Sequence, residues 1–477
     1  MNCLKRILLK TSLKIPRCTK FSRFLIKNDL FLCNKTYQYS NEAIEIASEE
    51  ITTSEYLELK KQYLGIENIG YRVYIIQPYI KWGEKKKRNT TPELQMEEAV
   101  ALVNTLPSWT VKGKKIVSLL TLQSQQLVGS GKLKELKNDI KRCNATAIFV
   151  STNILKHVQI YELHKIFDLP IYDRYNIVLE IFRIHASSAE AKLQVALAEN
   201  VYIRKKMLET TRSEGGHLTM TEQMKLCIHA REKKLKDKLN KLKEHRNMLR
   251  KQRNKNEVPT IAIVGYTNAG KTSLIKALTS DESLKPRNQL FATLDTTTYE
   301  GVLPSLLKVL FVDTIGFIQD VPQTLIEPFK VTLEDAMFAD IIVHIFDVSH
   351  PDMKAQVEHV QETIKSMTNE NQPIINVANK CDLAEGVDIP SNAIAVSAIK
   401  LTGISRLRVE MEKLLIAVTG RFMRRIKVQA HSPLLSWLYK ETTVTKTELD
   451  PQNEEYLIVD VIMTQSDLHK LRQVLIK

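Results

Sequence analysis

The sequence predicts a multidomain α/β protein. It should hold an N-terminal α/β domain with a long helical hairpin, a P-loop domain with a mostly parallel, doubly wound sheet, and a small C-terminal α/β domain. Three observations carry this reading. Continuous apolar runs such as "TIAIVG" (260–265), "LLKVLFVDT" (306–314), "DIIVHIFDV" (340–348) and "PIINVAN" (373–379) alternate with helical patterns, as parallel strands covered on both faces do. The stretch from 186 to about 252 contains no proline and is rich in Ala, Leu, Glu and Lys. A G-x-x-x-x-G-K-[ST] motif opens directly behind the first of those runs.

In chain order, residues 1–40 read as a mitochondrial targeting segment. The first 35 hold nine Lys/Arg against one acid, Asp29, with Ser/Thr and apolar residues between the charges. Those charges lie too close together for a secretory apolar core. An α/β domain is expected over 41–186: strand-like "YRVYIIQPYI" (71–80), helical "PELQMEEAVALVNTL" (92–106), strand-like "ATAIFVS" (145–151), helix-like "NILKHVQIYELHKIF" (153–167), then "LPIYDRYNIVLEIF" (169–182). A helical hairpin follows over 187–254, with Gly215 and Gly216 marking its turn. Ile228, Leu235, Leu239, Leu242 and Leu249 recur at spacings of seven, four, three and seven, which places them on one seam. The P-loop domain should span 255–420. The remaining 421–477 opens on the basic "RFMRRIK" and ends in "EEYLIVDVIMTQSDLHKLRQVL", a strand followed by a helix.

Composition narrows the partners. The 477 residues are 43% apolar and 26% charged, which is globular material rather than a disordered chain. A net charge of +15 attracts polyphosphate backbones, so nucleic acid is the first partner to consider. Between Arg231 and Arg253 the hairpin carries eleven Lys/Arg and three acids, a candidate RNA-facing stripe. The cysteines at 3, 18, 33, 143, 227 and 381 form no C-x-x-C pair, so neither a disulfide framework nor a zinc site is expected. No uncharged apolar run is long enough to span a bilayer and no lipidation signal follows the basic N-terminus, so stable membrane insertion is not expected.

Four motifs then specify chemistry. In "GYTNAGKT" the chain at Gly265, Tyr266, Thr267, Asn268, Ala269 and Gly270 would wrap phosphates with backbone N–H groups, and Ser273, directly after it, is counted with the nucleotide-binding residues. Lys271 would reach the β/γ oxygens and Thr272 would offer a hydroxyl to Mg²⁺. Asp313 closes the next buried strand, where it could hold Mg²⁺ through water, while the Gly316 amide would meet a γ-phosphate. "NKCD" selects the base: a carboxylate at Asp382 accepts the N1–H and 2-amino protons of guanine, which adenine lacks. Asn379 would meet the purine's Hoogsteen edge and the Lys380 stem would lie along the ring, with Ser397 and Ala398 completing the pocket. Between the first two motifs, "FATLDTTT" (291–298) must supply the threonine that closes over Mg²⁺ and γ-phosphate. Thr293 is the first candidate, with Thr296, Thr297 and Thr298 as competitors. Lys271, Thr293 and Gly316 are therefore the expected catalytic set, in a P-loop Ras-like GTPase that binds GTP and GDP.

"VGSGKLKELK" (128–137) also suggests phosphates, but its second glycine comes too early and no Ser/Thr follows the lysine. It reads as a tight loop opening a basic helix.

Taken together, "QLVGSGKLKEL", "IYDRYNIVLEIF", "AKLQVALAE", "GYTNAGKTSLIKAL", "LFATLDTTT", "DTIGFI" and "NKCD" resemble the motifs of HflX GTPases, in the same order, from about residue 70 to 420. The resemblance, with the basic N-terminus, implies a monomeric GTPase of the mitochondrial matrix. It would bind rRNA of the large ribosomal subunit, not DNA, and split ribosomes into subunits, or alternatively act as a large-subunit assembly or quality-control factor. The chain departs from the family where a "GGxGxRGPGE" segment is usual and "EGGHLTMTEQ" (214–223) stands instead.

One position poses a chemical question. Phe317 occupies the place where Ras-like enzymes use a glutamine to orient water, and its ring offers no hydrogen bond. The ring should turn away and pack, leaving the water to another group or a partner. Asn268 raises the further expectation of a K⁺ ion against the phosphates, as in related GTPases with asparagine there.

Overall fold

The computed structural model describes residues 54–65, 70–82, 90–213, 222–255, 258–284, 286, 290–291, 293, 297–318, 338–365, 372–384 and 389–476. The targeting segment, the Gly215–Gly216 turn, the core of the departing 214–223 segment, Thr296 and the side chain of Leu249 lie outside the described residues. All described residues belong to one contact unit, Thr52–Lys477.

The N-terminal part is a four-stranded parallel sheet of β1 (Arg72–Ile80), β2 (Thr110–Leu119), β3 (Ala147–Val150) and β4 (Ile171–Asp173), in the order β2-β1-β3-β4. β1 and β3 are buried through most of their length because helices cover both faces. α1 (Ser54–Leu64), α2 (Pro92–Thr105) and α5 (Arg174–His185) contribute to one core; α3 (Ser130–Arg142) and α4 (His157–Phe167) contribute to a second. Sequence reasoning did not resolve β2. Lys112, Lys114 and Lys115 interrupt its apolar pattern, and as an edge strand it is mostly half-exposed. The "VGSGKLKELK" stretch is the start of α3, with Gly129 at its N-cap, and Lys132 Nζ donates to Ser118 Oγ at 2.8 Å.

α6 (Ala189–Ser213) and α7 (Glu222–Lys255) form the hairpin. Its seam follows the heptad-like spacing: Leu235 and Leu239 pack with Leu193, Ala196 and Leu197, and Leu242 lies against them. Ile228 is buried two turns earlier, where Asn200 Nδ2 donates to its carbonyl at 3.1 Å. Lys233, Lys234, Lys236 and Lys241 remain exposed.

The second sheet runs β10-β9-β8-β5-β7-β6, from β5 (Thr260–Gly265), β6 (Thr297–Val302), β7 (Lys308–Asp313), β8 (Ile341–Asp347), β9 (Ile374–Asn379) and β10 (Ala393–Ala395). Every neighbouring pair is parallel except β6 with β7. α8 (Lys271–Thr279), α9 (Met353–Lys365) and α10 (Ile404–Val418) join the strands. β8 is buried at every position, including His344, which burial pushes down to about 4 while its Nδ1 lies 3.2 Å from Asn376 Oδ1. The C-terminal part is an antiparallel sheet, β11 (Phe422–Gln429), β13 (Asn453–Met463) and β12 (Thr443–Asp450), with α11 (Pro433–Glu441) and α12 (Gln465–Ile476). The basic "RFMRRIK" is mostly a strand there. Its Arg425 pairs with Asp460 on β13 at 2.7 and 2.9 Å.

Candidate functional site

Most of the candidate site residues follow the carboxyl end of a strand, and Thr293 comes from the segment before β6. β5 runs into the loop 266–270, and α8 begins at Lys271, so the phosphate loop is the turn between a buried strand and a helix N-terminus. That turn demands unusual backbone. Gly270 has φ +96°, and a Cβ there would lie 2.3 Å from Asn379 Nδ2. Asn268 also takes a left-handed φ of 62°. Thr267, Asn268, Lys271, Thr272, Thr293 and Gly316 line one cleft.

Within it Lys271 is buried and its ammonium lies against the Tyr266 carbonyl at 2.9 Å. Burial pushes this lysine down to about 8, with Asp313 acting in the opposite direction. Burial likewise raises the Asp313 carboxyl, offset first by Lys271 and then by hydrogen bonds from Thr272 and Thr293. Thr272 Oγ1 and Thr293 Oγ1 donate to the same Asp313 oxygen at 2.8 and 3.2 Å and are 3.4 Å from each other. Asp313 Oδ1 is buried without a hydrogen-bond partner. A converging set of one carboxylate and two hydroxyls, hard oxygen donors beside a phosphate loop, fits a magnesium ion. Thr272, Thr293 and Asp313, the last through water, are the residues that would hold it, and the ion would supply charge neutralisation on the phosphates. Thr293 reaches this place because Phe291, two residues earlier, is wedged edge-on against Phe182 of α5, with centroids 4.8 Å apart at 88°.

Gly316 comes so close to the phosphate loop that a Cβ would meet Thr267 Cα at 2.9 Å and Lys271 Nζ at 3.0 Å. Phe317 is stitched to the same loop by its backbone: its N–H donates to the Gly265 carbonyl at 3.1 Å and its carbonyl accepts from Thr267 N–H at 2.7 Å. Its side chain is buried in the core, pointing where no water could be oriented by it.

The base motif stands at the end of β9. Asn379 Nδ2 donates to the Ala269 carbonyl at 2.9 Å and Asn379 Oδ1 accepts from Ala398 N–H at 3.1 Å. Asn379 thus ties the phosphate loop to the Ser397–Ala398 turn, and its second amide proton is what could serve a purine edge. Lys380 has φ 62° and its ammonium pairs with Asp347 at 2.7 Å, which extends the stem. A hydrogen bond with Ser397 is the first cause that holds the Asp382 carboxyl below its ordinary value, with Lys400 at 3.9 Å. An ionised Asp382 suits the two donors of guanine.

Two participants had no signal in the sequence. Asp347 fixes Lys380 from the neighbouring strand end. Glu98, on α2, accepts from the Tyr266 hydroxyl at 2.9 Å and from Arg174 Nη2 at 2.6 Å, so the phosphate loop touches the N-terminal sheet's helices directly. Nothing in an amphipathic helix marks one glutamate for a partner 168 residues away.

Comparison with known proteins finds relatives of this chain. Residues 260–380 match the family described as 50S ribosome-binding GTPase, and residues 93–183 match the GTP-binding GTPase N-terminal family. The chain is 39% identical over 453 residues to GTP-binding protein 6 of Xenopus laevis, covering 91% of this chain and 85% of that protein. It is 32% identical over 402 residues to GTPase HflX of Alkalihalophilus pseudofirmus, covering 80% of this chain and 94% of that one. Among solved structures, a GTP-binding protein from Sulfolobus solfataricus in complex with GDP superposes with a TM-score of 0.38 at 23% identity, over 73% of this chain and 99% of that chain.

Proposed function

We propose, from the premise that this chain belongs to the HflX family of GTPases and hydrolyses GTP to GDP and phosphate, that it acts on mitochondrial ribosomes. It binds the large subunit through rRNA and splits ribosomes into subunits, with the GTP state setting its affinity. The observation that carries this reading is the Tyr266–Glu98–Arg174 contact, which joins the phosphate loop to the part of the chain expected to face rRNA. The exposed lysines of α7 and the net charge of +15 support a polyanionic partner. The basic composition of residues 1–40 supports delivery to the matrix. Thr272, Thr293 and Asp313 hold Mg²⁺, Asp382 selects guanine, and Lys271 and the Gly316 amide meet the phosphates.

Phe317 makes intrinsic hydrolysis slow, because its buried ring leaves water unoriented, and the ribosome supplies the missing positioning. Asn268 would hold a K⁺ ion that adds positive charge beside the phosphates, and a rate unchanged when sodium replaces potassium would remove that ion.

The deciding experiment is a sucrose-gradient profile of mitochondrial ribosomes incubated with the protein and GTP, a non-hydrolysable analogue, GDP or no nucleotide, alongside phosphate release. Subunits released with GTP and the analogue, with hydrolysis stimulated by ribosomes, are expected. Intact monosomes throughout, with the protein only on free large subunits, would favour the assembly role instead.

A further inference from the structure

A second crevice lies in the N-terminal sheet and shares no lining residue with the GTP cleft. In the order β2-β1-β3-β4, the chain leaves β1 toward one side and continues to β3 on the other, so a gap opens at the carboxyl ends of β1 and β3. Parallel sheets bind ligands at such switch points. Here the gap is a cavity of about 820 Å³, within the range of ligand sites.

Its described lining mixes apolar side chains such as Leu122, Leu127 and Leu155 with uncharged polar ones, and Lys81 and Arg174 are its charged members. Gln77 is 3% exposed; its Nε2 donates to Gln95 Oε1 and to the Pro78 carbonyl, both at 3.1 Å, while its Oε1 has no partner. Ser151 is 8% exposed, and its Oγ and the neighbouring Thr152 Oγ1 are also buried without partners. Among the described residues these three polar atoms of the cavity wall have no partner, and each would cost stability if an aliphatic group filled the space. Among the described residues no carboxylate lines the cavity, which argues against a cation. Of its two charged lining residues, Arg174 is engaged with Glu98 and Lys81 is exposed at the rim, which argues against a phosphate deep inside.

The rim differs from the interior. Ile80 pairs with Leu119, so Lys81 and Trp82 emerge beside Leu120 at one sheet edge. Trp82 is 74% and Leu120 94% exposed, and Lys81 Nζ lies 5.6 Å from the Trp82 ring centroid. An exposed aromatic face beside a lysine is a stacking platform with a phosphate contact.

We propose that this cavity accepts an unstacked base of single-stranded RNA: the base edge meets Gln77, Ser151 and Thr152, the next base stacks on Trp82, and the backbone stays outside at Lys81. The inference rests on RNA being the partner and is independent of subunit splitting.

The test is the affinity of the full protein for a short single-stranded RNA and for an abasic oligomer of equal length, read by fluorescence anisotropy. A preference of about tenfold or more for the RNA is expected. It should vanish in Gln77→Leu/Ser151→Ala and shrink in Trp82→Ala, while fluorescent GTP binding stays unchanged as the check on folding. Equal affinity for both oligomers would overturn the proposal, since waters and not a base would then satisfy the cavity. Should the double variant lose GTP binding, photo-crosslinking of 4-thiouridine RNA to the unaltered protein decides. Crosslinks within 77–82 and 151–155 support the site, and crosslinks confined to 222–255 overturn it. Displacement of the RNA by free nucleosides alone would reassign the cavity to a small metabolite and also overturn the proposal.

Discussion

The N-terminal sheet and the P-loop sheet solve the same geometric problem in different ways. Each places its first strand, β1 or β5, inside the sheet, with later strands on both sides, and each opens a crevice at that strand's carboxyl end. At β5 the crevice is filled by a loop whose glycines and lysine dictate a ligand. At β1 it is lined by side chains from several separated segments, none of which forms a motif. Backbone-built sites therefore announce their ligand in a few consecutive residues, whereas side-chain-built ones become visible only after folding.

The largest test of that contrast is Lys271→Ala. Loss of the buried ammonium beside the phosphates should lower GTP hydrolysis by about a hundredfold or more, measured as phosphate release with ribosomes present. Near-normal turnover would mean that the loop's backbone alone suffices. Asp382→Asn keeps one carbonyl oxygen for N1–H but turns an amide donor toward the 2-amino group of guanine. GTP affinity should fall by about a hundredfold while xanthosine triphosphate, which lacks the 2-amino group, is tolerated better. Competitive binding of the two nucleotides would decide it, and a preference still favouring GTP would discredit the assignment of Asp382.

Gly316→Ala sharpens the comparison differently, because the new Cβ would meet Thr267 Cα at 2.9 Å and Lys271 Nζ at 3.0 Å. Hydrolysis should drop by about tenfold or more with GDP affinity little altered. Equal losses of GTP and GDP binding would show instead that the whole loop had collapsed. The smallest effect is expected at the junction of the two regions. Tyr266→Phe leaves Glu98 with Arg174 but deletes one hydrogen bond, worth about 1 kcal/mol, and it should weaken ribosome-stimulated hydrolysis more than intrinsic hydrolysis. Identical changes in both rates would mean that the contact only stabilises the fold.

Much of the molecule could be read before folding. Long apolar runs identified β1, β5, β7, β8 and β9 because strands buried on both faces need apolar side chains throughout. The hairpin seam was legible through its period, and Leu235 and Leu239 are buried as that period requires. β2, β11 and β12 were not, because exposed positions in edge strands tolerate Lys, Arg, Glu and Thr and so erase the pattern. Phe317 illustrates a reading that combined both levels. Its type excluded a water-orienting role, and the structure shows its backbone braced on the phosphate loop with the ring in the core.

The sequence by itself determined the GTPase reading, since a phosphate-loop motif, a strand-end aspartate and an N-K-x-D motif are local patterns of a few consecutive residues. Only the tertiary structure decided that Asn379 ties two loops together, that Glu98 reaches Tyr266, and that Gln77, Ser151 and Thr152 surround one cavity. These are long-range contacts, made by ordinary polar residues whose partners lie in other segments. Until the sheets close and exclude water, nothing distinguishes such residues from solvated surface.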